Sequence, residues 1–247
     1  MNHLQLPVPD YRRKGFSLLK HAVALFLKNA LPILFIAAIM AVPVEIIKNY
    51  YFFEPSDSEI FLPGSRMDSL VYLLFLSAIT PMVIHFILGR MSGESAGIQA
   101  SLLWGLRKWP RMIVYSFLNG AVIAAGIVMF VVPGLLFAVW LMLLPVVVSV
   151  MDTSRINPLT VCRELARRRY FKFVLYALGG YAAFAVLFAI LIALFSFLAN
   201  ESWITAALFD ICFDWLIQLI AIVLLLVFLQ VKTEMKEQSL EPMDQAE

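Results

Sequence analysis

"VVPGLLFAVWLMLLPVVVSVMD", residues 131–152, is the stretch on which the reading of the fold turns. It closes a run of 40 residues, Met112 to Met151, that carries no charged side chain. One helix of that length would measure about 60 Å, twice the bilayer hydrocarbon thickness of about 30 Å. Two spans of about 20 residues would fit. Proline cannot donate to a helix ladder, and glycine reaches the φ angles of a tight turn. Pro133-Gly134 is therefore expected to form the turn of a membrane hairpin.

Composition points the same way. The chain is 62% hydrophobic and 15% charged, outside the range of soluble domains. Apolar runs predict six spans, at about 30–47, 69–88, 112–131, 134–150, 173–198 and 205–231. The expected fold is an all-α polytopic bundle, six transmembrane helices in three hairpins, with residues 1–247 forming one integral membrane domain. Lys and Arg set its orientation. With the N-terminus cytoplasmic, 17 of them fall inside, and only Lys48 and Arg66 fall outside. Both termini are then cytoplasmic, in a multi-pass protein of the plasma membrane. Cys162 and Cys212 would lie on opposite sides, so no disulfide is expected. Some 29 residues precede the first apolar run and no clear A-x-A follows it, a pattern unlike a cleaved signal peptide.

The segments between spans have structure of their own. "GFSLLKHAVALFLKN" (15–29), "AGIQASLLWGLRKW" (96–109) and "PLTVCRELARRRY" (158–170) are each apolar on one helical face and basic on the other. Such helices are expected to lie in the headgroup plane. Each runs straight into a span, which suggests a parallel repeat of about 12–88, 94–150 and 155–231, followed by a polar tail, 232–247.

Pro133-Gly134, Pro145, Asp152 and the amphipathic segment 158–170 follow in the order found in a known group. Over about 131–173 the chain resembles the YciC-like six-span bacterial inner-membrane proteins. These include the membrane domain fused to some glycerophosphodiester phosphodiesterases. The resemblance implies the six-span architecture and says little about activity. The phosphodiesterase itself is a separate metal-dependent barrel, and nothing of that length is present.

Catalytic signatures are missing: there is no H-E-x-x-H, P-loop, G-x-S-x-G or Cys-x-x-Cys. No cofactor or metal is expected. Intramembrane ionisable residues are the better lead, because burying a charge in lipid costs roughly 2.5–3.5 kcal/mol on insertion scales. Asp210, Asp214 and Gln218 recur at i, i+4 and i+8 on one face of the last span. They could line a cavity for a proton, a cation or an amine-bearing ligand. Alternatively, the long last span leaves its first turns in the interface, with Trp203 and Trp215 in the aromatic belt. Glu45 and Lys48, at i and i+3, suggest an ion pair at the rim. His85 reads as interfacial, and Asn119 as a hydrogen-bonding residue between helices. Gly120, Ala121, Ala124 and Ala125, and the stripe Ala182, Ala185, Ala189, Ala193 and Ser196, suggest close packing within the bundle.

Arg107, Lys108, Arg163, Arg167, Arg168 and Arg169 are expected to touch anionic headgroups of the cytoplasmic leaflet, each worth about 1 kcal/mol. That accounts for the basic faces without nucleic acid. The sequence thus favours a non-enzymatic protein acting through lipid or a membrane partner, as an accessory, stability or membrane-homeostasis factor. The alternative is a small permease using the polar stripe.

Overall fold

A computed structural model describes residues 7–52, 71, 73–93, 97–129, 131–152, 156–167, 169–196 and 202–240. Among them every regular element is helical. The helices are α1 (Phe16–Lys28), α2 (Ala30–Phe52), α3 (Ile79–Ser92, led in by a 3-10 turn at Leu76–Ala78), α4 (Ile98–Met129) and α5 (Val131–Leu141). They continue as α6 (Leu144–Val150), α7 (Pro158–Arg167), α8 (Tyr170–Ser196) and α9 (Trp203–Leu240).

Four stretches are long and apolar enough to cross a membrane: Ala30–Tyr51, Ile98–Val128, Tyr170–Ser196 and Trp203–Gln238. The other two expected spans are shorter apolar helices, Leu76–Ser92 and Leu136–Val150. At 1.5 Å per residue these reach only about 25 Å and 22 Å. The second is also interrupted at Met142-Leu143, with Pro145 in the first turn of α6, where a missing N–H breaks no bond. Every residue from Ile79 to Gly89 is buried, so α3 is enclosed by protein rather than lipid. α9 runs through the centre of the fold and continues past 231 to Leu240.

The expected turn at Pro133-Gly134 is corrected. α5 begins at Val131, which places both residues in its first turn, where proline's missing donor costs nothing. Gly134 serves a different purpose. A Cβ on Gly126 of α4 would lie 2.8 Å from Gly134 Cα, and one on Gly134 would lie 2.7 Å from Ile127 N. The two glycines let the α4 and α5 backbones touch, as small residues do in membrane bundles.

The three surface-lying helices also need correction. α1 does not lie apart from the bundle; it runs lengthwise along α9 in the opposite direction. The Tyr11 amide donates to Thr233 Oγ1 at 2.9 Å, and Phe26 packs against Trp215 with ring centroids 5.1 Å apart. Its apolar face, Leu18, Ala22 and Phe26, is therefore buried by protein instead of lipid. The second basic segment is not a separate helix, since α4 passes unbroken through Pro110. Its first turns pair with α3, where His85 Nδ1 meets Ser101 Oγ at 3.2 Å and a Cβ on Gly105 would strike Met82. His85, expected at an interface, is buried there and stacks on Trp104. α1 and α7 are helices distinct from the spans that follow them, α2 and α8.

Both small-residue stripes face outward. Gly120, Ala121, Ala124 and Ala125 on α4, and Ala182, Ala185, Ala189, Ala193 and Ser196 on α8, are all exposed. The close packing expected of them falls instead to Gly126 and Gly134.

Candidate functional site

Near the Trp203 end of α9, charges from two distant parts of the chain meet. Glu45 and Lys48 lie one turn apart on α2 and form an ion pair. Lys48 Nζ also reaches Asp210 Oδ2 of α9 at 2.8 Å. Asn49 Nδ2 bridges the acids, donating to Asp210 Oδ2 at 3.0 Å and Glu45 Oε2 at 3.3 Å. Glu45 is 2% exposed and Lys48 9%, and the Asp210 side chain is 18% exposed. This is not a rim pair in water. Coulombic attraction between these groups is little screened, and losing one partner would strand the others.

Asp214 and Gln218 continue along α9, 5% and 1% exposed. Gln218 Nε2 donates to the Asp214 carbonyl at 3.1 Å, and Thr80 of α3 donates to Gln218 Oε1 at 3.4 Å. Ser77, a turn earlier on that side, donates to Leu73 O at 2.9 Å.

These residues border one cavity of about 920 Å³. Its walls include all four span-length helices: Glu45 and Lys48 of α2, Met112 to Ala124 of α4, Tyr181 of α8, and Asp210 to Leu224 of α9. Along α9 it extends about 21 Å at 1.5 Å per residue. It is polar at Asp210, Asp214 and Gln218, then apolar at Ile220, Ala221 and Leu224. Exposed Phe117, Gly120, Ala121 and Tyr181 form its edge, so the cavity opens sideways between α4 and α8. Asn119, expected to bond across helices, lines it with an enclosed Oδ1 that accepts no hydrogen bond from the described residues. No three of His, Cys, Asp and Glu among the described residues are grouped as metal ligands.

The residues expected to touch headgroups divide. Arg107, Arg163 and Arg167 are exposed, whereas Arg168 lies outside the described residues. Lys108 turns inward: its Nζ donates to Met151 O and sits 4.9 Å above the Trp104 ring. Burial pairs it with a carbonyl and an aromatic face that helical spacing alone could not reveal. Arg169 binds Glu234 of α9 at 3.1 Å and the Val231 carbonyl at 3.1 Å, so it ties α8 to α9. Glu234 also meets Lys14 at 3.6 Å and Lys172 at 3.5 Å. Cys162 and Cys212 are free thiols.

Sequence reasoning missed Lys48 and Thr80 as partners of the α9 stripe. The available signal was a charge complement: Glu45-Lys48 near the end of the first apolar run and Asp210-Asp214 near the start of the last. No family model, curated protein or solved structure matches this chain.

Proposed function

We propose that the protein is a six-crossing plasma-membrane protein, both termini cytoplasmic, that takes an amphipathic small molecule or lipid from the bilayer into this lateral cavity and carries it. It works without catalysis, and residues 131–173 align it with the YciC-like arrangement. The observation carrying the proposal is the cavity among all four span-length helices, polar at one end and apolar at the other. Its size falls in the range of about 300–1,000 Å³ typical of small-molecule sites. The Lys/Arg distribution supports the orientation, with α3, enclosed by protein, and the α5–α6 stretch supplying the two shorter crossings.

Ala124→Trp, placed on the cavity wall, tests it. Lipids and small molecules bound to wild type and variant, purified from native membranes in mild detergent, are compared by native mass spectrometry. A species retained by wild type and absent from the variant supports a carrier. Identical bound species in both would refute it.

A second reading, an accessory factor for another membrane protein, draws on the uncovered α8 stripe. A stoichiometric protein companion lost on Ala185→Leu and Ala189→Leu would favour it over the carrier.

A further inference from the structure

Three helices of the cavity wall carry a proline close to where that wall stops. Pro81 lies in the first turn of α3, after the 3-10 turn at Leu76–Ala78. Pro110 lies inside α4, and Pro145 in the first turn of α6, beyond the interruption at Met142-Leu143. Proline has no N–H for the carbonyl four residues back, here Ser77, Leu106 and Leu141, so the helical ladder lacks a rung at each. Among the described residues the cavity is lined on α3 as far as Thr80, on α4 from Met112 onward and on α6 as far as Val146. Past those points lie residues 81–92, 98–111 and 147–150, three short pieces that stand where the cavity ends.

The pieces are tied to one another. His85 of α3 meets Ser101 of α4 at 3.2 Å and stacks on Trp104, while Met82 packs where a Cβ on Gly105 would stand. Trp104 Nε1 donates to the Ser149 carbonyl of α6 at 2.9 Å, and Lys108 Nζ donates to Met151 O. α3 and α6 also pack against α9, whose residues 219–229 carry no polar side chain. Thr80, on the cavity side of Pro81, is held to α9 by Gln218 at 3.4 Å, so a tilt at Pro81 begins beyond a fixed point.

We infer that these pieces of α3, α4 and α6 form one rigid body that tilts at Pro81, Pro110 and Pro145. The tilt opens the cavity towards Ser92 and Met151, the cytoplasmic side in the orientation proposed above. Its use rests on the carrier reading, because a molecule taken in sideways has to leave by a second opening to be carried. A hinge needs a few residues that absorb a change of backbone angle while the bodies on either side stay intact. Proline suits that place, since the missing rung leaves no bond to break as the angle changes. α3 has 14 residues and a length of about 21 Å, so a tilt of about 20° at its first turn moves its far end by about 7 Å.

Distances between paired spin labels test the tilt, by double electron–electron resonance on the full chain in nanodiscs of native lipid extract. Cys162→Ala and Cys212→Ala remove the two free thiols. Arg90→Cys with Arg107→Cys puts both labels on the body, and Arg90→Cys with Lys232→Cys puts one on α9; all three residues are exposed. The expected result is one narrow distance for the first pair and two populations about 7 Å apart for the second. Changing Pro81, Pro110 and Pro145 together to Ala should collapse the second pair to one distance. Should that variant misfold, the two label pairs on the proline-intact chain decide without it. One narrow distance for both pairs would overturn the tilt, and two populations for the first pair would overturn the rigid body. Two populations that survive the loss of the prolines would overturn the hinge. Ligand retention, read separately by native mass spectrometry on wild type and Ala124→Trp, keeps the carrier reading apart. A retained ligand without a second distance removes this inference and leaves the carrier. A second distance with nothing bound removes the carrier and keeps the moving body.

Discussion

Lys48→Met is the substitution that separates a buried charge cluster from an interfacial one. In the structure Lys48 Nζ lies 2.8 Å from Asp210 and contacts Glu45, and Glu45 and Lys48 are both buried. At an effective dielectric of about 20, a pair at that distance attracts by about 6 kcal/mol, most of it offset by the cost of taking both charges out of water. Removing the ammonium forfeits the attraction and leaves two carboxyls facing each other through Asn49. The expected loss is about 3–5 kcal/mol, the usual consequence of breaking a buried pair from one side. An exposed pair at a bilayer rim would lose at most about 1 kcal/mol. Reversible unfolding by SDS titration in mixed bicelles, followed by tryptophan fluorescence, resolves that difference. The neutral triple variant Glu45→Gln, Lys48→Met, Asp210→Asn should recover to within about 1 kcal/mol of wild type, since replacing a whole buried pair is often neutral. A loss below about 1 kcal/mol for Lys48→Met alone would refute the burial of the cluster.

Three further outcomes follow from the geometry. Gly126→Ala pushes a methyl to 2.8 Å from the Gly134 backbone, whereas Gly120→Ala on the same helix meets nothing within 4 Å. In the same SDS assay Gly126→Ala should be about 1–3 kcal/mol less stable than Gly120→Ala, a comparison that cancels helix propensity. Tyr11 Oη meets His21 Nδ1 at 2.8 Å, and burial, aided by Arg13, lowers the His21 pKa below its ordinary 6.5. Packing of the N-terminal segment should be complete above pH 6.5 and weaken as pH falls towards the lower folded-state value, because the buried ring resists charging. Hydrogen exchange at the Tyr11 and Gly15 amides, bonded to Thr233 and Tyr176, should accelerate over that fall in wild type and show no such step in His21→Gln. Burial pushes the Cys162 thiol up to about 12, so a maleimide should leave it unlabelled at neutral pH until detergent unfolds the chain.

Much of the helical content was legible because it depends on neighbours in sequence. Apolar runs mark the four long helices, and the i, i+4, i+8 spacing sets Asp210, Asp214 and Gln218 on one face of α9. What escaped depends on residues far apart. Lys48 and Asp210 are 162 positions apart, and no local rule pairs them. Pro133-Gly134 has the composition of a turn, yet proline and glycine also suit a helix's first turn and a backbone contact, and only the position of Gly126 selects the second use. A basic face and an apolar face suit a bilayer surface, so amphipathic segments read as lying in the headgroup plane. The same two faces suit a helix lying on α9, as α1 does, and the sequence has no term for which apolar partner is nearer.

That last ambiguity bears on how the cavity is built. In a bilayer, helices gain nothing by hiding apolar surface from lipid tails, so contact must come from close backbones, polar links or charge. The described residues use all three: Gly126 on Gly134, Arg169 on Glu234, and Lys48 on Asp210. Between α4 and α8 they use none at the exposed small-residue faces, Gly120 to Ala125 and Ala182 to Ala193. Of these, Gly120, Ala121 and Ala124 line the cavity, and a large residue at any of the three would narrow it. The fold therefore ties its polar cluster across α2 and α9 through Lys48 and Asn49 and leaves the small-residue edge of the cavity on α4 uncovered.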